Sequence, residues 1–216
     1  MSTVVSLDDH RAARPERMTV ARRAQAPATL YFDLASPYTY LVAERADRLF
    51  ARLRWQPAVI DPLGDECWGP IAMIAARERA ALLGLPLIWP DERPPRVREA
   101  MRVAALAAER GRGAPFVLAA SRLAFCGGYD LDAPEILAEA AAAAGIGLRE
   151  TLAAAGEIDR DVAIAQAGRS LRVAGATRLP TLEVGGMLFC GEDRLLAARA
   201  ALVTVADGDR GRLVGN

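Results

Sequence analysis

Hydrophobic residues follow two different spacings in the first part of the chain. Residues 28–34 form a β-prone run that includes Leu30, Tyr31 and Phe32. In residues 37–50, apolar side chains recur at the spacing of one helix face. Residues 53–60, which include Trp55, form a second β-prone run. Two strands joined by a helix within about thirty residues predict a βαβ unit, in which the strands are parallel.

The middle of the chain changes to helical spacing, interrupted by glycines and prolines that begin or end helices. Asp132 and Glu135 match a capping box, which predicts that a helix begins there and ends near Gly145. The other helices predicted in this part span residues 71–83, 95–110, 115–125 and 148–154.

The last part of the chain combines a helix, a hairpin and another helix. Residues 161–174 predict a helix, and residues 182–184 and 187–190 are apolar runs joined by Gly185 and Gly186. A glycine pair between two such runs is typical of a tight β-hairpin. Glu192 and Asp193 then begin a last helix that continues through Leu202. Without the middle helices, the order is β-α-β-α-β-β-α, which predicts an α/β fold with an all-helical insertion after the second strand.

Four parts of the chain follow from these patterns. A polar, arginine-rich leader covers residues 1–27. Residues 28–61 and 159–206 form one α/β domain, residues 62–158 form the helical insertion, and residues 207–216 form a tail. We expect a ligand cleft between the α/β domain and the insertion.

The composition excludes several kinds of chemistry. The 216 residues contain 27 basic and 27 acidic residues, and every basic residue is arginine. Because the charges balance, the composition does not indicate a basic surface for binding nucleic acid. The lack of lysine excludes a Schiff-base mechanism. The single histidine, His10, lies in the leader, so we expect no histidine-based triad or metal site in the core.

The three cysteines are Cys67, Cys126 and Cys190, and no two of them form a Cys-x-x-Cys pair. An odd number at irregular spacing argues against a disulfide framework or a zinc ribbon. No signal peptide and no apolar run of membrane-spanning length is found. We therefore expect a cytoplasmic protein with no membrane partner and no bound metal.

The turn between the first strand and the first helix contains the strongest candidate for chemistry. Ser36 and Pro37 fit a helix start, with a hydroxyl at the cap position and a proline at the first helical position. A hydroxyl there lies at the positive end of the helix, where an anion such as a thiolate is stabilised. The alternative is that Ser36 only caps the helix.

The segment Asp33-Leu34-Ala35-Ser36-Pro37-Tyr38, together with Leu179-Pro180-Thr181 and Phe189-Cys190-Gly191-Glu192-Asp193-Arg194, resembles a known family. It is similar to the kappa-class glutathione transferases and the 2-hydroxychromene-2-carboxylate isomerases, which are DsbA relatives in the thioredoxin superfamily. The resemblance implies a thioredoxin-like fold with a helical insertion. It also implies a homodimer and a small aromatic-derived substrate.

The same resemblance implies a site for glutathione or another low-molecular-weight thiol. Ser36 would hold the sulfur as a thiolate, and a cis bond before Pro180 would present the Leu179 backbone to the peptide part of the thiol. Glu192 and Asp193 would hold the γ-glutamyl end. Tyr38, Tyr40, Trp68 and Trp89 are either lining for the substrate or plain core residues.

The chain departs from the family at the residues that bind glutathione after the second strand. The family uses an asparagine and often a lysine there, whereas this chain has no lysine and its one asparagine is Asn216. The glycyl carboxylate of glutathione would then need an arginine, Arg77 or Arg93, or backbone donors. Two other functions stay open: a non-catalytic binding module, and a redox protein that uses Cys126 or Cys190 singly.

Overall fold

The structure is a computed structural model, and it describes residues 28–60 and 68–214. The predictions for the leader with His10, for Cys67 and for the residues directly after position 60 lie outside the described residues. Within the described residues, no helix combines the length and apolar character needed to span a membrane. The α-helices of the described part are α1 (Pro37–Leu49), α2 (Pro70–Leu82), α3 (Arg98–Glu109), α4 (Gly113–Phe125), α5 (Pro134–Ala143), α6 (Leu148–Gly156), α7 (Arg160–Val173) and α8 (Leu195–Val214).

One four-stranded mixed sheet forms the centre of the fold. Its strands are β1 (Ala28–Phe32), β2 (Leu53–Pro57), β3 (Thr181–Val184) and β4 (Met187–Cys190), in the order β2-β1-β3-β4. Strands β1 and β2 are parallel, and β3 pairs antiparallel with both β1 and β4. The predicted βαβ unit and the hairpin at Gly185–Gly186 are therefore confirmed.

The sheet divides the core into a large and a small cluster. Successive residues of a strand point to opposite faces, so Ala28, Leu30 and Phe32 of β1 enter the large cluster, whereas Tyr31 packs against the small one. The small cluster lies under α7 and includes Leu171 and Leu179. The large cluster also contains apolar residues of α3 to α6, so the helical insertion shares one core with the sheet.

Two contacts fix α7 against the rest of the molecule. Gly168 allows α7 to touch the chain after β2, because a Cβ at this position would lie 1.7 Å from the carbonyl oxygen of Val59. The buried Arg102 of α3 donates two hydrogen bonds of 2.8 Å to the carboxylate of Asp161 at the start of α7. It donates a third hydrogen bond, of 2.7 Å, to the carbonyl of Ala155 in α6. The insertion and the α/β part are thereby joined through Arg102 and Asp161.

Three predictions of helix bounds are wrong. Helix α3 begins at Arg98, three residues after the predicted start at Pro95. Helix α5 begins at Pro134, and its cap is Ala133 with φ −69° and ψ 121°, so Asp132 and Glu135 form no capping box. The residue before a proline avoids the helical region, which moves the helix start past Asp132. The last helix continues to Val214, although the sequence predicts a tail from residue 207.

Candidate functional site

A cavity of about 900 Å³ opens between α2 of the insertion and the α/β part. It lies at the start of α1, beside the segment that leads into β3, and at the end of β4. This is the predicted position of the cleft. Its lining consists of Tyr38, Ala75, Arg79, Thr177, Arg178, Leu179, Gly191, Glu192 and Asp193.

The turn before α1 is held by hydrogen bonds to Asp33. The Asp33 carboxylate accepts a hydrogen bond of 2.8 Å from the backbone N–H of Ala35. Its carbonyl oxygen accepts one of 3.1 Å from the Ser36 N–H and one of 2.7 Å from the Thr39 hydroxyl. These bonds place Ser36 at the cap of α1 in an extended conformation, with Pro37 as the first helical residue. The helix start predicted from Ser36 and Pro37 is therefore confirmed.

The hydroxyl of Ser36 does not cap the helix, and it does not line the cavity. Ser36 has 0% exposed surface, and its Oγ has no hydrogen-bond partner among the described residues. A buried hydroxyl without a partner is uncommon, because it has lost its hydrogen bonds to water. The structure therefore excludes the simple capping role but leaves the hydroxyl covered. Its role toward a thiolate stays a prediction.

The peptide bond between Leu179 and Pro180 is cis, as predicted. Leu179 lines the cavity, whereas Pro180 accepts a hydrogen bond of 2.8 Å from the backbone N–H of Gly191 through its carbonyl oxygen. Gly191 has φ 99°, a left-handed conformation that favours glycine. The end of β4 is thus tied to the cis-proline, and Glu192 and Asp193 follow directly in a short 3-10 helix (Glu192–Arg194).

Glu192 forms a buried ion cluster with Arg45 of α1 and Arg79 of α2. Its side chain is 3% exposed. One carboxylate oxygen, Oε2, accepts a hydrogen bond of 2.7 Å from Nε of Arg79. The other, Oε1, accepts from Nη1 of Arg45 and, at 3.1 Å, from Nη2 of Arg79. The hydrogen bonds to Glu192 raise the pKa of the Arg79 guanidinium.

Asp193 has a different environment from its neighbour. Its carboxylate lies at the rim of the cavity, 2.8 Å from Nη2 of Arg178, and the two side chains are 60% and 53% exposed. An exposed pair of this kind contributes little to stability and remains open to a ligand. The predicted residues Leu179, Glu192 and Asp193 therefore surround one cavity, and the carboxylate of Glu192 is already engaged inside the protein.

The predicted aromatic lining holds for Tyr38 alone. Tyr40 is fully buried and stacks on Phe125. Its hydroxyl donates a hydrogen bond of 3.0 Å to the carbonyl of Pro86 and accepts one of 3.1 Å from the Cys126 thiol. Burial, together with the contact to Cys126, raises the pKa of Tyr40. The two tryptophans, Trp68 and Trp89, pack edge to face with ring centroids 5.5 Å apart, and neither lines the cavity.

Cys190 lies opposite Thr181 in the hairpin and packs against the small core cluster that includes Leu179. Burial raises the pKa of its thiol, but hydrogen bonds from the Thr177 backbone and from Thr181 outweigh that effect, so the net pKa is lowered. The thiol is partly buried. It is thus more acidic than an ordinary cysteine, although it does not line the cavity itself.

Sequence reasoning missed the arginines that reach the site. Arg77 and Arg93, the expected replacements, are exposed and do not line the cavity, whereas Arg79 does. The inward face of α2 is marked by the buried residues Ala76 and Ala80. Positions 77 and 79 lie about 80° to either side of the middle of that face, so helix spacing alone does not distinguish them, and the choice depends on how α2 packs.

The fold and the cavity define a thioredoxin-like domain with a helical insertion, whose turn at the start of α1 contains no cysteine. The family model of the DSBA-like thioredoxin domain matches residues 29–203, so the chain belongs to this family. Comparison with curated protein sequences gave no match.

Several solved structures share the fold. A structure described as 2-hydroxychromene-2-carboxylate isomerase superposes with a TM-score of 0.71 at 16% identity, covering 86% of this chain and 98% of that chain. A "probable DsbA oxidoreductase" from Streptomyces coelicolor gives 0.65 at 19% identity, covering 85% and 90%. The cytosolic disulfide reductase DsbM from Pseudomonas aeruginosa, solved with GSH, gives 0.57 at 18% identity, covering 85% and 99%. At these identities the likeness shows the fold.

Proposed function

We propose that the protein is a glutathione-dependent isomerase or transferase of the 2-hydroxychromene-2-carboxylate isomerase type, acting on a small aromatic-derived compound. The thiol is glutathione or another low-molecular-weight thiol. One observation supports this proposal above the others: a single cavity joins the start of α1, the residue before a cis-proline and the 3-10 helix after β4. The turn at α1 supplies a serine where dithiol exchange would need a cysteine pair.

In this proposal the bound thiol supplies the nucleophile that adds reversibly to a conjugated double bond and so permits rotation about it. The start of α1 provides a positive potential, and the Ser36 hydroxyl donates a hydrogen bond; both favour a thiolate. Because Ser36 is covered, this contact requires neighbouring side chains to move when the thiol binds. The unpartnered hydroxyl gains the hydrogen bond that it lacks in the free protein.

The remaining contacts are divided between two segments of the cavity wall. The Leu179 backbone offers strand-type hydrogen bonds to the peptide part of the thiol. Asp193, exposed at the rim, suits the ammonium of the γ-glutamyl end. Glu192 is engaged by two arginines, so the proposal assigns the ammonium to Asp193 alone. Tyr38 lines the side where an aromatic compound would lie.

The proposal is tested by adding glutathione to the wild-type protein and to the Ser36→Ala variant. Glutathione should raise the melting temperature with concentration, as a ligand of the native state does. Titration of the thiolate absorbance should give a lower pKa for bound than for free glutathione. Ser36→Ala should raise that pKa and slow turnover of 2-hydroxychromene-2-carboxylate.

Ser121→Ala is the matched control for this experiment. Ser121 is also fully buried with an unpartnered hydroxyl, but it lies in α4 and does not line the cavity. It should leave the pKa of the bound thiol unchanged. Glutathione is not the thiol if it does not stabilise the protein, and the proposed role of Ser36 fails if Ser36→Ala and Ser121→Ala behave alike. Binding without turnover would indicate a binding module instead.

A redox protein with a single cysteine is the second candidate, and the lowered pKa of Cys190 favours it. The thiolate is the reactive form, so a more acidic thiol is more reactive at neutral pH. Under this candidate the protein reduces insulin in the presence of glutathione, and Cys190→Ser abolishes the activity. Cys126→Ser serves as the control, since the Cys126 thiol is committed to the Tyr40 hydroxyl.

A further inference from the structure

The ion pairs that border the cavity contain one more cation than anion, although the charged residues that line the cavity itself are balanced, Arg79 and Arg178 against Glu192 and Asp193. Three guanidinium groups, those of Arg45, Arg79 and Arg178, are paired with two carboxylates, those of Glu192 and Asp193. Arg178 and Asp193 balance each other at the rim. The excess therefore lies in the buried cluster, where Glu192 is shared between two arginines. A group of this kind attracts an anion, since one of its positive charges is uncompensated.

Arg79 is the member of the cluster that faces the cavity. It lines the cavity, and its side chain is 35% exposed, whereas Arg45 does not line it. The hydrogen bonds to Glu192 use Nε and Nη2, so neither of them engages Nη1. A guanidinium carries five N–H donors, and its Nη1–Nη2 edge matches the two oxygens of a carboxylate. Arg79 therefore keeps donors for a ligand while Glu192 holds the adjacent Nε–Nη2 edge.

Asp193 lies close enough to contribute to this electrostatic environment. Its charge acts on Arg79 and adds to the rise of that group's pKa. The cavity wall therefore carries a cation with spare donors next to an exposed carboxylate. A carboxylate and an ammonium on one carbon, as in an α-amino acid, complement this arrangement of charges.

We infer that Arg79 binds the carboxylate of an α-amino-acid head group whose ammonium the proposed function assigns to Asp193, and that Glu192 is the positioning residue for Arg79. The inference rests on the proposed function, in which that head group is the γ-glutamyl end of glutathione. Arg79 then supplies an anion contact in a chain that contains no lysine and has its one asparagine at position 216.

Two glutathione analogues separate the contacts, because each lacks one group of the γ-glutamyl end. 4-Aminobutyryl-cysteinylglycine lacks the α-carboxylate, and glutaryl-cysteinylglycine lacks the ammonium. Dissociation constants for glutathione and both analogues are measured by calorimetry on the wild-type protein. Loss of the carboxylate should weaken binding about tenfold. This is at the low end of the range for a hydrogen bond to a charged group, because Arg79 is partly exposed.

The variants then assign each loss to a residue. Arg79→Gln should remove the discrimination between glutathione and the analogue without the carboxylate, and it should keep the discrimination against the analogue without the ammonium. Asp193→Asn should do the reverse. Arg79→Lys keeps the charge beside Glu192 but cannot donate two parallel hydrogen bonds to the carboxylate. We therefore expect an intermediate ratio between the dissociation constants of the carboxylate-free analogue and glutathione. Arg77→Gln, an exposed position of the same helix, is the control and should change neither ratio.

Glu192→Gln tests the positioning role through the same ratio. A purely structural defect weakens the binding of glutathione and of the carboxylate-free analogue equally. Loss of a positioning residue instead lowers the preference of the protein for glutathione over that analogue. An unchanged or higher preference contradicts that role. The inference is overturned if wild-type protein binds glutathione and the carboxylate-free analogue alike, or if Arg77→Gln matches Arg79→Gln. If the wild-type protein binds no glutathione, the proposed function is wrong in its choice of glutathione as the thiol, and the inference falls with it.

Discussion

The neighbouring carboxylates Glu192 and Asp193 should respond very differently to loss of charge. In Glu192→Gln the side chain keeps its shape and one acceptor oxygen, but Arg45 and Arg79 lose their shared counter-charge. Removing one partner of a buried ion pair costs about 3–5 kcal/mol. The two arginines are 21% and 35% exposed and regain some hydration, so we expect a loss of about 2–3 kcal/mol in the free energy of unfolding.

Urea and thermal unfolding measure this loss. For a chain of this size, about 2–3 kcal/mol corresponds to a fall of roughly 5–10 °C in melting temperature. Asp193→Asn is the matched control, because its pair with Arg178 is exposed and should contribute at most about 1 kcal/mol. Salt should reduce the small effect of Asp193→Asn more than that of Glu192→Gln. Equal losses in the two variants, or a loss under about 0.5 kcal/mol for Glu192→Gln, would refute the buried cluster.

Two further predictions concern the fold around α7. Gly168→Ala places a Cβ 1.7 Å from the Val59 carbonyl oxygen, so α7 must shift, and urea unfolding should show a loss of about 3 kcal/mol or more. Gly156→Ala, where no atom lies within 4 Å, should instead be neutral or stabilise by up to about 1 kcal/mol. The second prediction concerns Asp161, whose carboxyl pKa is lowered from 3.8 by the hydrogen bond from Arg102. A lowered folded-state pKa contributes stability above the unfolded-state pKa, and this stability is lost as the pH falls through the folded-state value. The stability difference between wild type and Asp161→Asn should therefore be constant near neutral pH and shrink below about pH 4; a constant difference down to pH 2 would contradict it.

Most of the fold was predictable because its signals are local. The spacing of apolar residues defines β1, α1 and β2, and the glycine pair at 185–186 defines the hairpin. The order of these elements then limits the sheet to few arrangements. The start of α5 was not predicted correctly, because Pro134 restricts its neighbour Ala133 and this local constraint overrode the capping-box pattern at Asp132.

The candidate site was predictable only where its residues adjoin a feature that can be located in the sequence, such as a proline or the end of a strand. Leu179 precedes the cis-proline, and Asp193 follows the end of β4, so both could be placed from the sequence. In the ion cluster, Glu192 contacts Arg79, which is 113 positions away in the chain, and Arg45, which is 147 positions away. Contacts over such separations depend on how α1 and α2 pack against the 3-10 helix. No local pattern encodes that packing.

The ion cluster also explains how a chain without lysine can still offer an anion contact in this cavity. An arginine differs from a lysine in that its fork can bind two partners along different edges. Arg79 uses one edge on Glu192, which fixes the side chain across the gap between the insertion and the α/β part. A glutamine at position 192 would leave Arg45 and Arg79 as neighbouring positive groups without a counter-charge. The acidic residue at position 192 and the arginine at position 79 are therefore physically linked: the carboxylate allows two arginines to lie together, and the second arginine would leave a positive charge for the proposed ligand.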